Sequence, residues 1–143
     1  MITEIADKIV KHIRDNGGIL SKKDFETYQV EESPMLASSY RDYTILTYPQ
    51  GSNGTAIAEV LNILNNFDLH RMGYYTAPSL HVIIEAINIA FADRYKYAGD
   101  RDFAPVPYDG LMSWSFGRER AKAIDLKKAK IHEPGDPWKH QAS

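Results

Sequence analysis

The chain has no cysteine among its 143 residues. That excludes a disulfide scaffold, a thiolate metal site and a cysteine nucleophile. It also lacks an excess of basic charge. Seventeen Lys and Arg stand against 19 Asp and Glu, for a net charge of −2. There is then no electrostatic footprint for nucleic acid and no pull towards anionic lipid. Long apolar runs are missing too. The richest segment, Leu80 to Ala92, is broken by His81, Glu85 and Asn88, so it does not read as a membrane span. Met1-Ile2-Thr3-Glu4 has neither the basic nor the apolar region of a signal peptide; the chain is cytoplasmic if it is the complete product, and otherwise its compartment is open. No internal repeat and no low-complexity run occurs.

What is present is ordinary for one globular domain or a piece of one: 43% hydrophobic and 25% charged residues, with nine tyrosines. Such a tyrosine share argues for a core whose rings keep polar tips at its edge.

Ile2, Ile5, Ile9 and Ile13 recur at helical spacing and predict a helix over Thr3 to Asp15, stopped by Asn16-Gly17-Gly18. The chain opens inside this helix, as a segment cut from something longer does. Ser21 and Asp24 form a capping-box pair for a short second helix with Phe25 and Tyr28 on its buried face. Pro34–Tyr40 and Tyr43–Tyr48 read as strands about a two-residue turn, Arg41-Asp42. A third helix runs Thr55 to Phe67, with Ile57, Val60, Leu61, Leu64 and Phe67 as its buried stripe. After a connection holding Gly73, Thr76 or Ser79 caps the longest helix, Ala77 to about Tyr97. Leu80, Ile83, Ile84, Ile87 and Phe91 are its expected buried stripe, widened by Val82, Ile89 and Ala90. A helix so apolar needs cover on two sides. Asp109 or Ser113 starts a last helix to about Ile124. The fold class expected is α+β, mostly helical with a β-hairpin. Residues 1–127 form the body, and 128–143 an extended or mobile tail.

Chemistry-bearing motifs are few. The turn Pro49-Gln50-Gly51-Ser52-Asn53-Gly54 joins a strand to a helix N-terminus, where free N–H groups and the helix dipole favour an anion. Ser52, Asn53 and Gly54 are therefore the candidate substrate-binding residues; the same loop is equally a helix cap. Ser52 is not a nucleophile-elbow serine, because Gly-x-Ser-x-Gly is absent. His81 and Glu85, four apart on one helix, have zinc-ligand spacing. No third or fourth ligand accompanies them, and a surface pair or hydrogen-bonded core histidine is the plainer reading; neither metal nor cofactor is expected. Asp93, Asp100 and Asp102 crowd around Arg94 and Arg101, which reads as a loop fixed by ion pairs. Trp138 sits in a Pro-Gly tail, as an anchor onto a further chain or as a remnant of expression.

Three runs, taken together, resemble the γ-glutamyltransferase (γ-glutamyltranspeptidase) family. They are Gly17-Gly18-Ile19-Leu20 with Asp24-Phe25 and Tyr28; Tyr40-Arg41-Asp42-Tyr43 leading through Pro49 and Ser52–Gly54 to Leu61-Asn62-Ile63-Leu64-Asn65-Asn66-Phe67-Asp68-Leu69; and Leu80-His81 through Ala90-Phe91-Ala92-Asp93-Arg94, Gly99-Asp100, Asp102-Phe103 and Pro105-Val106-Pro107. Order and spacing agree from about Ile5 to Leu111.

The resemblance implies part of an N-terminal nucleophile hydrolase αββα sandwich. Such a protein is made as one precursor that cuts itself before a threonine. That threonine attacks a γ-glutamyl amide, commonly of glutathione, to form a covalent γ-glutamyl enzyme. The chain resembles the last third of the large subunit, with the tail leading towards the autocleavage point. The nucleophilic threonine and the arginine that holds the substrate carboxylate lie outside the stretch that matches. No catalytic residue is therefore carried over, and the chain is expected to be inactive alone. Its partners on this reading are the remainder of the large subunit and the small, nucleophile subunit. A self-associating, non-enzymatic module is the alternative, with a homodimer as its form. The family's central loop usually carries a longer proline run, paired serines and paired glycines. Here it reads Pro49-Gln50-Gly51-Ser52-Asn53-Gly54, which leaves room for an acylase-like branch.

Overall fold

The computed structural model describes residues 2–48 and 53–141, with the backbone alone for Ile2. The chain divides into two compact units, residues 1–32 and 33–143.

The first unit is a helix pair, α1 (Ile2–Asp15) and α2 (Lys22–Thr27). Gly17 at φ 81° ends α1 in the left-handed conformation that glycine adopts without strain. The Arg14 Nε–H donates to Leu20 O at 2.9 Å across the turn. The Ser21 N–H donates to Asp24 Oδ2 at 2.7 Å, as the capping box requires. The expected apolar faces do not appear as buried ones here. Ile5, Ile9, Phe25 and Tyr28 are exposed, while Ala6 is buried.

The second unit begins with an antiparallel hairpin, β1 (Leu36–Tyr40) and β2 (Tyr43–Thr47), with Tyr40 opposite Tyr43. Its glycine-free turn puts Arg41 at φ 54°, an uncommon conformation for such a residue. The helix that follows holds it there. The Arg41 N–H donates to Asn65 Oδ1 at 3.2 Å, the Arg41 guanidinium to Phe67 O at 2.7 Å, and Asn65 Nδ2 to Ser39 O at 3.2 Å.

That helix, α3 (Gly54–Leu64), packs against α5 (Ala77–Tyr97) and α7 (Trp114–Ala121). Between them lie α4 (Leu69–Met72) and α6 (Tyr108–Met112), and a 3₁₀ turn at Pro137–His140 follows α7. The core is Ile63, Leu64, Val82, Ala86, Ile89, Ala121 and Ile124. Gly117 allows the α3–α7 approach, since a Cβ there would collide with the Asn62 side chain. Asn62 then donates through Nδ2 to Met112 O at 2.7 Å and ties α3 to the end of α6.

Several sequence expectations are corrected. α4 is a helical turn where a plain connection was expected. The last helix is two, and Ser113 caps the second by accepting the Phe116 N–H at 3.0 Å. The larger correction concerns α3 and α5. The expected stripes are buried only in part: Leu64, Val82, Ile89 and Ala90 are buried, but Ile57 and Ile84 are each 54% exposed, and Leu80 and Ile87 are also exposed. The buried face of α5 is instead Ser79, Val82, Glu85, Ala86, Ile89, Ala90 and Asp93. That of α3 includes Glu59 and Asn62 beside Ala58 and Ile63. Both helices are apolar on two sides, and this chain covers the side that carries the polar groups. Among the described residues no helix is long and apolar enough to cross a membrane.

Candidate functional site

The loop into α3 comes first. Ser52 lies outside the described residues. Asn53 precedes α3 at φ −83° and ψ 11°, and its side chain makes no capping bond; its backbone oxygen accepts the Ile57 N–H at 2.9 Å. Gly54 is buried where β2 ends, and a Cβ there would collide with Thr47 Oγ1 and stand 2.8 Å from Tyr48 O. Close passage of strand and helix is thus one reason for a glycine at this point. Asn53 also borders an apolar cleft of about 330 Å³ lined by Ile57, Val60, Leu61, Ile87 and Phe91.

The second polar region lies inside. Asp93 is fully buried, and so is Glu59 at 1% exposure. Asp93 Oδ2 accepts the Arg120 Nε–H at 2.7 Å, and Asp93 Oδ1 accepts the Gly135 N–H in a short bond. Arg120 reaches on through its terminal nitrogen to Glu133 O at 2.7 Å. Glu59 packs beside this pair. Burial raises its pKa well above the usual carboxylate range, and the hydrogen bond to Asp93 and the charge of Asp93 push the same way, against the pull of Arg120. Glu59 therefore keeps its proton over a range where an exposed glutamate is ionised. Two buried carboxyl groups beside one guanidinium are tolerable on that condition.

About two turns earlier on α5, Glu85 Oε2 accepts the His132 Nε2–H at 2.8 Å and the Lys130 N–H at 3.3 Å. The Tyr97 hydroxyl donates to Gly135 O at 2.6 Å. Residues 130–136, which have no regular secondary structure, are thus strapped across α5 and α7 by buried acids. The strap ends in the 3₁₀ turn, where Asp136 Oδ1 accepts the Trp138 N–H at 3.2 Å. There His140 sits between Ser115 Oγ and Glu119 Oε2, each 2.9 Å from one ring nitrogen. Serine, imidazole and carboxylate stand in series, but Ser115 lines none of the clefts described here, and the contact fastens the strap to α7.

The remaining sequence candidates are placed as follows. His81 does not share a ligand with Glu85: its Nε2–H donates to Asp125 O at 2.7 Å. Among the described residues, no group of three His, Asp or Glu is arranged to hold a metal ion. Asp93 does not pair with Arg94 or Arg101 as the sequence led us to expect. It turns inward to Arg120, and Arg94 lies over the rings of Phe91 and Tyr95 at 5.7 and 5.9 Å from their centroids. The buried anchors escaped sequence reasoning. Their signal was two carboxylates, Glu85 and Asp93, falling in step with Val82, Ala86 and Ile89 on one helix face.

An α+β body with a hairpin, paired long helices and a strapped terminal segment defines the class. The family model described as Gamma-glutamyltranspeptidase matches residues 3–143, and the chain belongs to that family. It is 36% identical over 127 residues to the glutathione hydrolase proenzyme of Escherichia coli, covering 88% of this chain and 22% of that protein. It is 33% identical over 128 residues to the acylase ACY 1 proenzyme of a Pseudomonas species, covering 89% of this chain and 23% of the relative. Among solved structures, Helicobacter pylori γ-glutamyltranspeptidase superposes with a TM-score of 0.77 at 35% identity, over 88% of this chain and 36% of that one. The cephalosporin acylase of Bacillus halodurans gives the same TM-score at 32% identity, over 94% of this chain and 24% of that one. The chain thus spans about a fifth to a quarter of the curated relatives it matches.

Proposed function

We propose that this chain is a structural portion of a γ-glutamyltransferase-like enzyme, contributed by the end of its large subunit. The observation that carries the reading is the open apolar face of α3 and α5. Ile57, Leu80, Ile84 and Ile87 are exposed on two helices that are otherwise well packed. Contiguous apolar surface of that kind marks a place where another element sits. Since the relatives are several times longer than the stretch matched here, the cover on this reading is the rest of the same protein: the αββα catalytic layers and the small subunit that opens on the nucleophilic threonine. Residues 1–127 then serve as scaffold. The tail, residues 128–143, leads towards the point of self-cleavage.

On the same reading the reaction is γ-glutamyl transfer or hydrolysis, or acyl transfer of the acylase kind, by an N-terminal threonine that this chain does not contribute. Ser52, Asn53 and Gly54 are the candidate substrate-binding residues of the whole enzyme, and Asn53 borders the apolar cleft. No cofactor and no metal takes part.

The test is direct. The purified 143-residue chain is assayed for release from a chromogenic γ-glutamyl amide, alone and after production together with the rest of the precursor. Silence alone and turnover in the assembled protein support the proposal. The alternative, a self-associating module, is favoured if light scattering finds a monodisperse dimer with one cooperative unfolding transition.

A further inference from the structure

We infer that Asp93 is the positioning residue for the chain that follows the strap, holding it in register so that the processing junction meets its nucleophile. This rests on the reading of the tail given above.

The strap is mounted at three places. Glu85 holds residues 130 and 132, the Asp93–Arg120 pair holds residues 133 and 135, and Glu119 with Ser115 holds residue 140. The middle mount reads register through two main-chain groups at once. Both oxygens of Asp93 are used, one on Arg120 and one on the Gly135 amide, while Arg120 takes the carbonyl two residues earlier. A slip of one residue one way brings Pro134, which has no N–H, opposite Asp93; a slip the other way puts Asp136, with its side chain, in the place of Gly135. Gly135 adds a steric check. A Cβ at that position would stand 2.8 Å from Arg120 Cδ and 3.0 Å from Phe116 Cε2.

The chemistry chosen for this mount is expensive. Apolar residues of similar size often hold a segment at least as firmly as a buried ion pair, because desolvating two charges consumes much of their attraction. Here the Asp93 side chain is wholly buried, that of Arg120 is nearly so, and Glu59 joins them by keeping a proton. What such a group supplies beyond adhesion is direction: named donors in a fixed order. Direction matters where the chain end must reach a reacting group, since a misplacement of about 1 Å can cost about 10²-fold in rate.

The experiment uses the polypeptide of proenzyme length that carries this chain, as wild type, Asp93→Asn and Gly135→Val, with Lys139→Ala as a control at the exposed pair with Asp136. Gly135→Val pushes the strap away from Asp93 and removes neither charged group, although its side chain also presses on Arg120. Two quantities are read separately: the rate at which the precursor is cut, and kcat on a γ-glutamyl amide once cutting is complete. Expected is a loss of about 10²-fold in cutting rate for both variants, with kcat of the cut enzyme within about twofold of wild type. The control is cut at the wild-type rate. Variants cut as fast as wild type overturn the inference. So do variants whose cutting and kcat fall together, since a plain structural role predicts that pattern. If Asp93→Asn does not fold, Gly135→Val alone decides. A wild-type polypeptide that is never cut overturns the reading beneath the inference rather than the register argument.

Discussion

Glu59 offers the sharpest test of the buried cluster. Its carboxyl group is almost wholly enclosed, and its pKa is raised chiefly by burial and secondly by Asp93. A group whose folded pKa lies above its unfolded value stabilises fully below the unfolded pKa, about 4.3 for glutamate. That contribution declines as pH rises and is lost as pH passes the folded pKa. Between the two values the folded state holds one proton more than the unfolded, so stability falls by about 1.4 kcal/mol per pH unit. Glu59→Gln keeps the shape and an N–H donor towards Asp93 but cannot titrate. The variant is expected to match wild type within about 1 kcal/mol at acid pH and to exceed it increasingly as pH rises. Glu59→Ala removes the donor as well, worth about 1.5–3 kcal/mol against a charged acceptor, and leaves a void. It is expected to be destabilised at every pH. The assay is urea unfolding at a series of pH values, followed by tryptophan fluorescence, with Trp114 and Trp138 as reporters. A difference between wild type and Glu59→Gln that stays constant with pH, or grows in favour of wild type, refutes the assignment of a retained proton to Glu59.

Other perturbations separate the parts of the fold. Asn65→Ala removes the acceptor of the Arg41 amide and the donor to Ser39 O; it is expected to lower stability by about 1–2 kcal/mol, seen as a lower urea midpoint with an unchanged slope. Gly117→Val drives a side chain into Asn62 and is expected to cost about 1–3 kcal/mol or more, read by the thermal midpoint. Glu119→Gln weakens only the half-exposed contact to His140. It is expected to change stability by less than about 1 kcal/mol while speeding hydrogen exchange at residues 138–141. Ile57→Ser with Ile84→Ser lies on the open face and is expected to leave the unfolding midpoint nearly unchanged, while light scattering shows less association of the isolated chain.

Element positions were legible because they rest on local rules. The capping pair Ser21 and Asp24, the Arg41-Asp42 turn and the Thr76 cap are short-range devices, and each stands where its residues put it. Which face of α3 and α5 turns inward was legible only in part: Leu64, Val82, Ile89 and Ala90 are buried as expected, and Ile57, Ile84 and Ile87 are not. Periodicity ranks faces by apolarity, and these helices have two apolar faces. The one with isoleucine and leucine scored higher than the one with Glu59, Glu85 and Asp93. The more apolar face is the open one in this chain, so the burial pattern here follows what the segment itself supplies as cover. The strap was hidden for a related reason. Lys130 to Asp136 has no period, and its order depends on acids 42 and 45 residues earlier in the chain. A charged residue in phase with a buried stripe marks such an anchor, and Asp93 beside Ile89 and Ala90 was that mark. The candidate loop remains where sequence put it at Asn53 and Gly54, with a packing reason for the glycine that only the neighbouring strand reveals.

The central claim is that this segment is a scaffold whose chemistry belongs to the rest of the protein. The most direct measurement is release from a chromogenic γ-glutamyl amide by the purified 143-residue chain, beside the same chain assembled with the remainder of its precursor. The account predicts no release above buffer for the chain alone and clear turnover for the assembly. Turnover by the isolated chain, retained at constant specific activity through further purification, contradicts it.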